Sequence, residues 1–383
     1  MKTHAEVVII GGGISGCSIA YHLAKKGVKD IVVIEKAYLT SGATGRCGAG
    51  VRQQWGTRMN CELAKRSVDF FEHATEILQY EGDIQFKQEG YLVLATSEEE
   101  DALFKENAIL QNSLGIPTQH LSPAQAREIV PYLNTEDITS ANFCGTDGHL
   151  NPFTTTDAFY HAARRLGVVF YTYTTVLAIE KQGPHIEAVL TDKGRIATHI
   201  VVNAAGGWAQ EIGQMVGVDI PVYSENHEIL VTEPVERMMS PMVISFSKNI
   251  YCQQTPHGPF IMGRSDPNMP KGLSMHSTWG FLEAMAKTAT QLLPPLKDIR
   301  VLRQWGGLYN MSPDHQPILS STPDCPGFYI ACGFSGHGFM LAPMTGVLIS
   351  EMILNETPSL NLEPLSMARF DHPHMIIKEK SVV

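Results

Sequence analysis

The stretch Val7-Val8-Ile9-Ile10-Gly11-Gly12-Gly13-Ile14-Ser15-Gly16 decides the fold. Residues 5–10 are short, apolar and β-branched, the composition of a strand buried on both faces. The glycines fit G-x-G-x-x-G, and residues 14–26 then repeat apolar side chains at helical spacing before Gly27, a helix-ending residue. A second buried strand, residues 31–34, ends in Glu35, roughly 20 residues beyond the fingerprint. Each part has a physical task. Gly11 permits the tight turn, Gly13 lets backbone approach a pyrophosphate, and Gly16 lets helix pack closely on strand. The helix start at Ile14 and Ser15 offers unpaired N–H groups and partial positive charge to phosphates, while Glu35 accepts from ribose hydroxyls. The reading is a strand–helix–strand unit that holds a dinucleotide.

The rest of the chain narrows the class. Its 383 residues imply two to three domains, and 44% hydrophobic with 18% charged residues excludes disorder. Lys plus Arg number 29 against 39 acids, a net charge of −10 with no basic cluster, which argues against a nucleic-acid partner. Seven cysteines at irregular spacing, without C-x-x-C, point to a reducing, cytoplasmic compartment rather than a disulfide framework. Residues 1–4 lead directly into the first strand, without the apolar stretch of a signal peptide. Residues 325–350 carry no charge and are long enough to span a bilayer. Gly327, Gly333, Gly336, His337, Gly338 and Pro343 interrupt them, so a strand, a glycine turn and a helix is the better reading than a membrane span. His-rich metal spacing is absent, and His372 and His374 read as solvated.

Along the chain, helices are expected over residues 60–78, 98–114, 123–130, 277–293 and 342–354. Strands are expected over 86–95 and 328–332, with further strands in 221–262. A β-meander is expected over 169–177, 186–190 and 196–202, turning at Gln182-Gly183 and Lys193-Gly194. The architecture expected is α/β: a discontinuous Rossmann-like FAD-binding domain (1–84, 146–216 and 300–383) with an inserted α+β substrate domain (85–145 and 217–299) on a mixed, largely antiparallel sheet. FAD is preferred to NAD because no second G-x-G-x-x-G follows, and because two late segments suit a longer cofactor. These are residues 201–208, a strand into a small-residue turn, and residues 332–339, a strand into a glycine turn before a helix. The second would aim helix-end N–H groups at a flavin ring.

With those residues assembled, the chain resembles the D-amino-acid-oxidase-type flavoproteins, which include sarcosine and glycine oxidases. The resemblance rests on residues 8–16, Glu35, the Ser41-Gly42-Ala43-Thr44-Gly45-Arg46 loop, residues 201–208 and residues 333–339. Within the family, Arg46-Cys47-Gly48, Arg52-Gln53-Gln54, residues 87–91, residues 303–307 and residues 333–340 are most similar to the flavin subunit of dye-linked L-proline dehydrogenase and the β subunit of multimeric sarcosine oxidase. The resemblance implies extended FAD, its adenine near Glu35 and the Val176 backbone. It also implies cofactor contacts from Lys36, Thr44, Arg46, Cys47, Ala49, Ala205, Gly206, Trp208, Gly307, Gly333, Ser335, Gly336, His337, Gly338 and Met340. The reaction implied is oxidation of a small amino or imino acid at Cα, hydride passing to flavin N5.

Three departures from the family pattern matter. Met340 stands where monomeric oxidases place a carboxylate-gripping lysine, and Ile261 where they carry an oxygen-activating lysine. Both favour a dehydrogenase that passes electrons to an α-type partner subunit or another acceptor. Gly307 replaces the cysteine that tethers flavin, so FAD is expected to be non-covalent; a second flavin at a subunit interface stays open. For the substrate carboxylate, Arg52 is the first candidate and Arg303 the second, with loop bracing as the competing role for each. His337 and Tyr251 complete the catalytic candidates. Tyr251, Trp305 and Tyr309 suit the wall of an apolar pocket, with aromatic core packing the better default for any one of them; His227 is open between pocket and core, and Asp314 reads as turn chemistry. The competing functions are a standalone peroxide-producing oxidase, an NAD(P)-dependent dehydrogenase and a flavin-bound assembly subunit without turnover.

Overall fold

A computed structural model describes residues 1–266, 268–372, 374 and 376–381. Val7–Ile10 lies inside a six-stranded sheet, pairing in parallel with Ile31–Ile34 on one side and Ile200–Asn203 on the other. Phe328–Cys332 and Val169–Tyr171 extend the parallel array outward, and Ile318–Ser321 closes one edge antiparallel. Every residue of Val7–Ile10 and Ile31–Ile34 is buried. Their unbroken apolar runs follow from that: Val7 and Ile9 face helices Ile14–Lys25, Pro152–Arg165 and Gly338–Ile353, while Val8 and Ile10 face a three-stranded meander. Two glycines set the geometry of the first turn. Gly11 takes φ +116°, and a Cβ on Gly16 would stand 2.0 Å from the Gly11 carbonyl oxygen.

The second sheet has eight strands, in the order Val301–Met311, Tyr223–Thr232, Phe260–Arg264, Ile250–Gln254, Met242–Ser245, Tyr91–Ala95, Ser140–Cys144 and Thr118–Leu121. All its pairings are antiparallel except Met242–Ser245 with Tyr91–Ala95, so the sheet is mixed and largely antiparallel as the sequence implied. One face packs under helix Trp279–Leu292. The other face contributes Tyr91, Ile244 and Tyr251 to a cluster turned toward the first sheet.

Several expected elements differ locally. The meander is confined to Val176–Gln182, His185–Thr191 and Gly194–Ala197, and its expected flanks belong to the parallel sheet. Tyr173 at φ 51° separates the first flank. At the second, the Thr198 hydroxyl donates to Glu6 O and accepts from Ile200 N, a local bond that breaks the run. The strand expected from residue 86 begins at Tyr91, because Gly90 at φ +89° turns the chain. The helix over 60–78 starts earlier, at Arg58 with Thr57 as its cap, and pauses at His73. The last helix begins at Gly338 and contains Pro343. Residues 325–350 form the expected strand, turn and helix. No described helix is long and apolar enough to cross a membrane.

Candidate active site

A long cleft runs across the carboxyl ends of the parallel strands, about 2190 Å³ counted to its open mouth. At one end the Glu35 carboxylate accepts from Gly12 N (2.8 Å), Ala37 N (2.9 Å) and Ser41 Oγ (3.3 Å). Lys36 Nζ sits 3.1 Å from the Trp208 ring centroid, and Val176, Ala205 and Gly206 line the same cleft. In the middle, Gly11, Gly13, Ile14 and Ser15 present the start of helix Ile14–Lys25, which has no side-chain cap. Thr44 Oγ1 accepts from Ile14 N at 3.2 Å. At the far end stand Arg46, Cys47, Gly307, Asn310, Ser335, Gly336 and Gly338, where helix Gly338–Ile353 also starts without a side-chain cap.

Two helix starts that get no cap from their own N-cap residues face one elongated cleft, with Ile14 N taken by Thr44; together with a carboxylate at one end they fit an anionic dinucleotide that extends well past its pyrophosphate. The far end carries its own unsatisfied polar atoms: Asn310 Nδ2 and both ring nitrogens of His227 are buried without a partner. The His227 ring lies parallel between Tyr309 (centroids 4.1 Å) and Tyr251 (5.6 Å), and burial lowers its pKa to about 3, so it is neutral.

A smaller pocket of about 600 Å³ adjoins that end, sharing Cys47, Tyr251, Tyr309, Ser335, Gly336 and Phe339 with the cleft. Among the described residues its one lining cation is Arg52, which is 4% exposed. Arg52 Nη1 donates to Gln54 O (3.0 Å) and Nη2 to Ser381 O (2.6 Å), and the guanidinium lies 3.8 Å from the Trp55 ring centroid. Among the described residues no carboxylate oxygen comes within 4 Å of it. Trp55 Nε1 donates to Arg52 O at 2.9 Å and its ring meets His337 at 4.6 Å. Burial pushes the His337 pKa down to about 3, and both its ring nitrogens lack partners. Burial also holds the phenols of Tyr91, Tyr251 and Tyr309 protonated.

Most residues singled out from the sequence therefore line these two spaces. Ala49, His337 and Met340 wall the small pocket rather than the cleft. Gly16 and Gly333 line neither and serve packing, Gly333 against Ile318 and Ser312. Arg303 is exposed near the sheet edge, outside both spaces, with its guanidinium 5.8 Å from the Trp305 ring. Asp314 does more than turn chemistry, holding Arg369 in a fully buried ion pair at 2.7 Å. Sequence reasoning missed Trp55, Tyr91 and Asn310, and the buried Asp147 behind Arg52. It also missed Glu379 and Ser381. The only local signal for Trp55 was its place three residues beyond Arg52. Among the described residues no group of three or more His, Cys, Asp or Glu could hold a metal.

Fold, cleft and pocket together define a flavoprotein oxidoreductase. Residues 6–352 match the FAD dependent oxidoreductase (DAO) family model, and the chain belongs to that family. It is 28% identical to sarcosine oxidase subunit beta of Arthrobacter sp, covering 98% of this chain and 93% of that protein. It is likewise 28% identical to mitochondrial dimethylglycine dehydrogenase of Rattus norvegicus over 96% of this chain, but spans only 45% of that longer protein. Among solved structures, L-proline dehydrogenase from P. horikoshii superposes with a TM-score of 0.92 at 38% identity, over 97% of this chain and 99% of that one.

Proposed function

We propose that this chain oxidises a small amino or imino acid, of the L-proline or sarcosine kind, at the Cα–N bond. The observation that carries the reading is Arg52: a buried cation on a pocket wall, bonded to two carbonyls and to no carboxylate among the described residues. Burying a guanidinium that has no carboxylate partner among the described residues is costly, and burial lowers its pKa. A ligand carboxylate supplies the missing anion through the N–H groups that Gln54 O and Ser381 O leave free. Among the described residues that line the pocket there is no Asp or Glu, so none of these walls favours an ammonium over a neutral amine. Neutral His337 and the phenols of Tyr91, Tyr251 and Tyr309 then orient that amine without a competing charge.

FAD supplies the two-electron acceptor when bound. The chain's own residues position the substrate and exclude water. Non-covalent binding is consistent with Gly307, where a Cβ would stand 3.1 Å from Arg46 Cβ. Among the described residues no lysine lines the small pocket, and the cleft's lysine, Lys36, stacks on Trp208 beside Glu211. That arrangement favours electron delivery to a partner subunit or other acceptor over oxygen. The division into residues 1–84, 146–216 and 300–383 against 85–145 and 217–299 belongs to the same proposal, although Val301–Met311 is hydrogen-bonded into the second sheet and joins the two parts; a cytoplasmic setting for the seven free thiols belongs to it as well.

Anaerobic titration of the FAD-loaded protein with proline, sarcosine, hydroxyproline, glycine and D-amino acids tests it. Bleaching by an imino or N-methyl acid, followed by slow recovery in air, is expected. Arg52→Ala should raise KM or Kd for that acid by a factor equivalent to about 2–5 kcal/mol. Unchanged affinity in Arg52→Ala refutes the carboxylate assignment, and rapid recovery with peroxide refutes the dehydrogenase assignment.

A further inference from the structure

We propose that residues 376–381 form a strap that positions Arg52 for the substrate carboxylate, with Glu379 and Ser381 as positioning residues; this rests on the reading of Arg52 given above. Along this segment only Glu379 and Ser381 are buried, while residues 376, 377, 378 and 380 are exposed. An alternating pattern like that places two side chains inward from an extended segment. The strap is tied down twice before it reaches Arg52. Gln316 Nε2 donates to Ile377 O at 2.5 Å, and Glu379 N donates to Asp314 O at 2.9 Å.

Glu379 is fully buried and its carboxylate is saturated. It accepts from Gly56 N (3.2 Å), Thr57 N (3.1 Å), Thr57 Oγ1 (3.0 Å) and Asn60 Nδ2 (3.0 Å). Those donors are the start of helix Arg58–Glu72, where a negative charge is favoured. Burial alone would raise its pKa. The bonds from Asn60 and Ser381 N, the Arg52 charge and the bond from Thr57 outweigh burial and lower it. The same carboxylate accepts from Ser381 N at 2.9 Å, which folds the strap back so that Ser381 O meets Arg52 Nη2 at 2.6 Å.

The segment from Arg52 to Thr57 is thereby held at both ends. Asp147 anchors Gln53 and Gln54, and Glu379 anchors Gly56 and Thr57. Between them Arg52 lies over its own Trp55, and the Ser381 carbonyl fixes which N–H groups remain for a ligand. A carbonyl is suited to this role because it orients the guanidinium without neutralising it. A carboxylate in the same place would compete with the substrate.

The test uses the FAD-loaded protein and two non-reacting probes: pyrrole-2-carboxylate, which carries the acid group, and pyrrole, which lacks it. Glu379→Ala is expected to weaken pyrrole-2-carboxylate by about tenfold or more, leave pyrrole and FAD retention within about twofold, and raise KM more than it lowers kcat. In the Arg52→Ala background it should change pyrrole-2-carboxylate binding little, because the two sites act through one guanidinium. Glu379→Gln keeps an acceptor oxygen for the helix start but loses the charge and half of the acceptor set, so it serves if Glu379→Ala fails to fold; the same selective loss is expected. Equal weakening of both probes, or additive effects with Arg52→Ala, overturns the strap's role. Arg52→Ala weakening the acid while both strap variants leave it unchanged overturns the strap alone. Arg52→Ala leaving the acid unchanged overturns the reading of Arg52 and the strap with it.

Discussion

Asp147 offers a quantitative test of how the pocket is built. Its carboxylate is fully buried, accepts from Gln53 N (2.8 Å), Gln53 Nε2 (3.3 Å) and Gln54 Nε2 (2.9 Å), and has no ion-pair partner among the described residues. Burial dominates those bonds and raises its pKa to about 6. An ordinary Asp titrates near about 3.9, so the gap corresponds to about 3 kcal/mol. Because the folded pKa is the higher one, the folded chain holds this proton more tightly than the unfolded chain. The contribution is present in full below about pH 4 and is lost as pH rises through about 6. Asn in its place keeps an acceptor for Gln53 N and does not titrate. Denaturant unfolding of the wild type and Asp147→Asn at intervals from pH 4 to 7 isolates the effect, since other groups cancel in the difference. The difference should move by about 1.4 kcal/mol per pH unit across the window, against the wild type as pH rises, and flatten above it. Parallel stability curves would refute a carboxyl held protonated by burial.

Other outcomes follow from the same geometry. Arg369→Met leaves Asp314 buried and unpaired, and should cost about 3–5 kcal/mol in denaturant unfolding. Gly13→Val should fold yet lose FAD, read as loss of yellow colour on gel filtration, because Gly13 has an ordinary φ of −77° and lines the cleft. Gly16→Ala should instead lower thermal stability with or without FAD, its Cβ having nowhere to go beside the Gly11 carbonyl. Arg303→Ala should leave KM for the amino acid unchanged in steady-state assays, since its side chain lies outside the pocket.

What the sequence disclosed follows from where the determining forces are local. The strand, glycine turn and helix of residues 7–25 are readable because burial on both faces and close backbone approach leave few residue types that fit. The mixed second sheet was legible only in outline: its long edge strand Val301–Met311 carries no clean alternation, since half of it leaves the core and half lines the cleft. The meander's flanks were misassigned because a β-branched run looks alike in either sheet, and only the Thr198 bond and the turn at Tyr173 divide them. In the pocket, Arg52 was found because the motif around it is short and contiguous. Glu379 was invisible for the opposite reason. It lies more than 300 residues from the donors it satisfies, in a segment whose composition reads as solvated.

The order of strands in the first sheet has a consequence for synthesis. Val7–Ile10 is made well before its neighbour Ile200–Asn203, and beyond that lies the still later Phe328–Cys332. At ordinary translation speeds roughly fifteen seconds to a minute separate the emergence of Ile31–Ile34 from that of Phe328–Cys332. Until then the apolar first strands lack part of their cover, and the cleft lacks the second helix start. During that interval the nascent chain exposes apolar surface of the kind that chaperones cover. Cofactor capture therefore waits for Phe328–Cys332 and the helix after it rather than being an early step in folding.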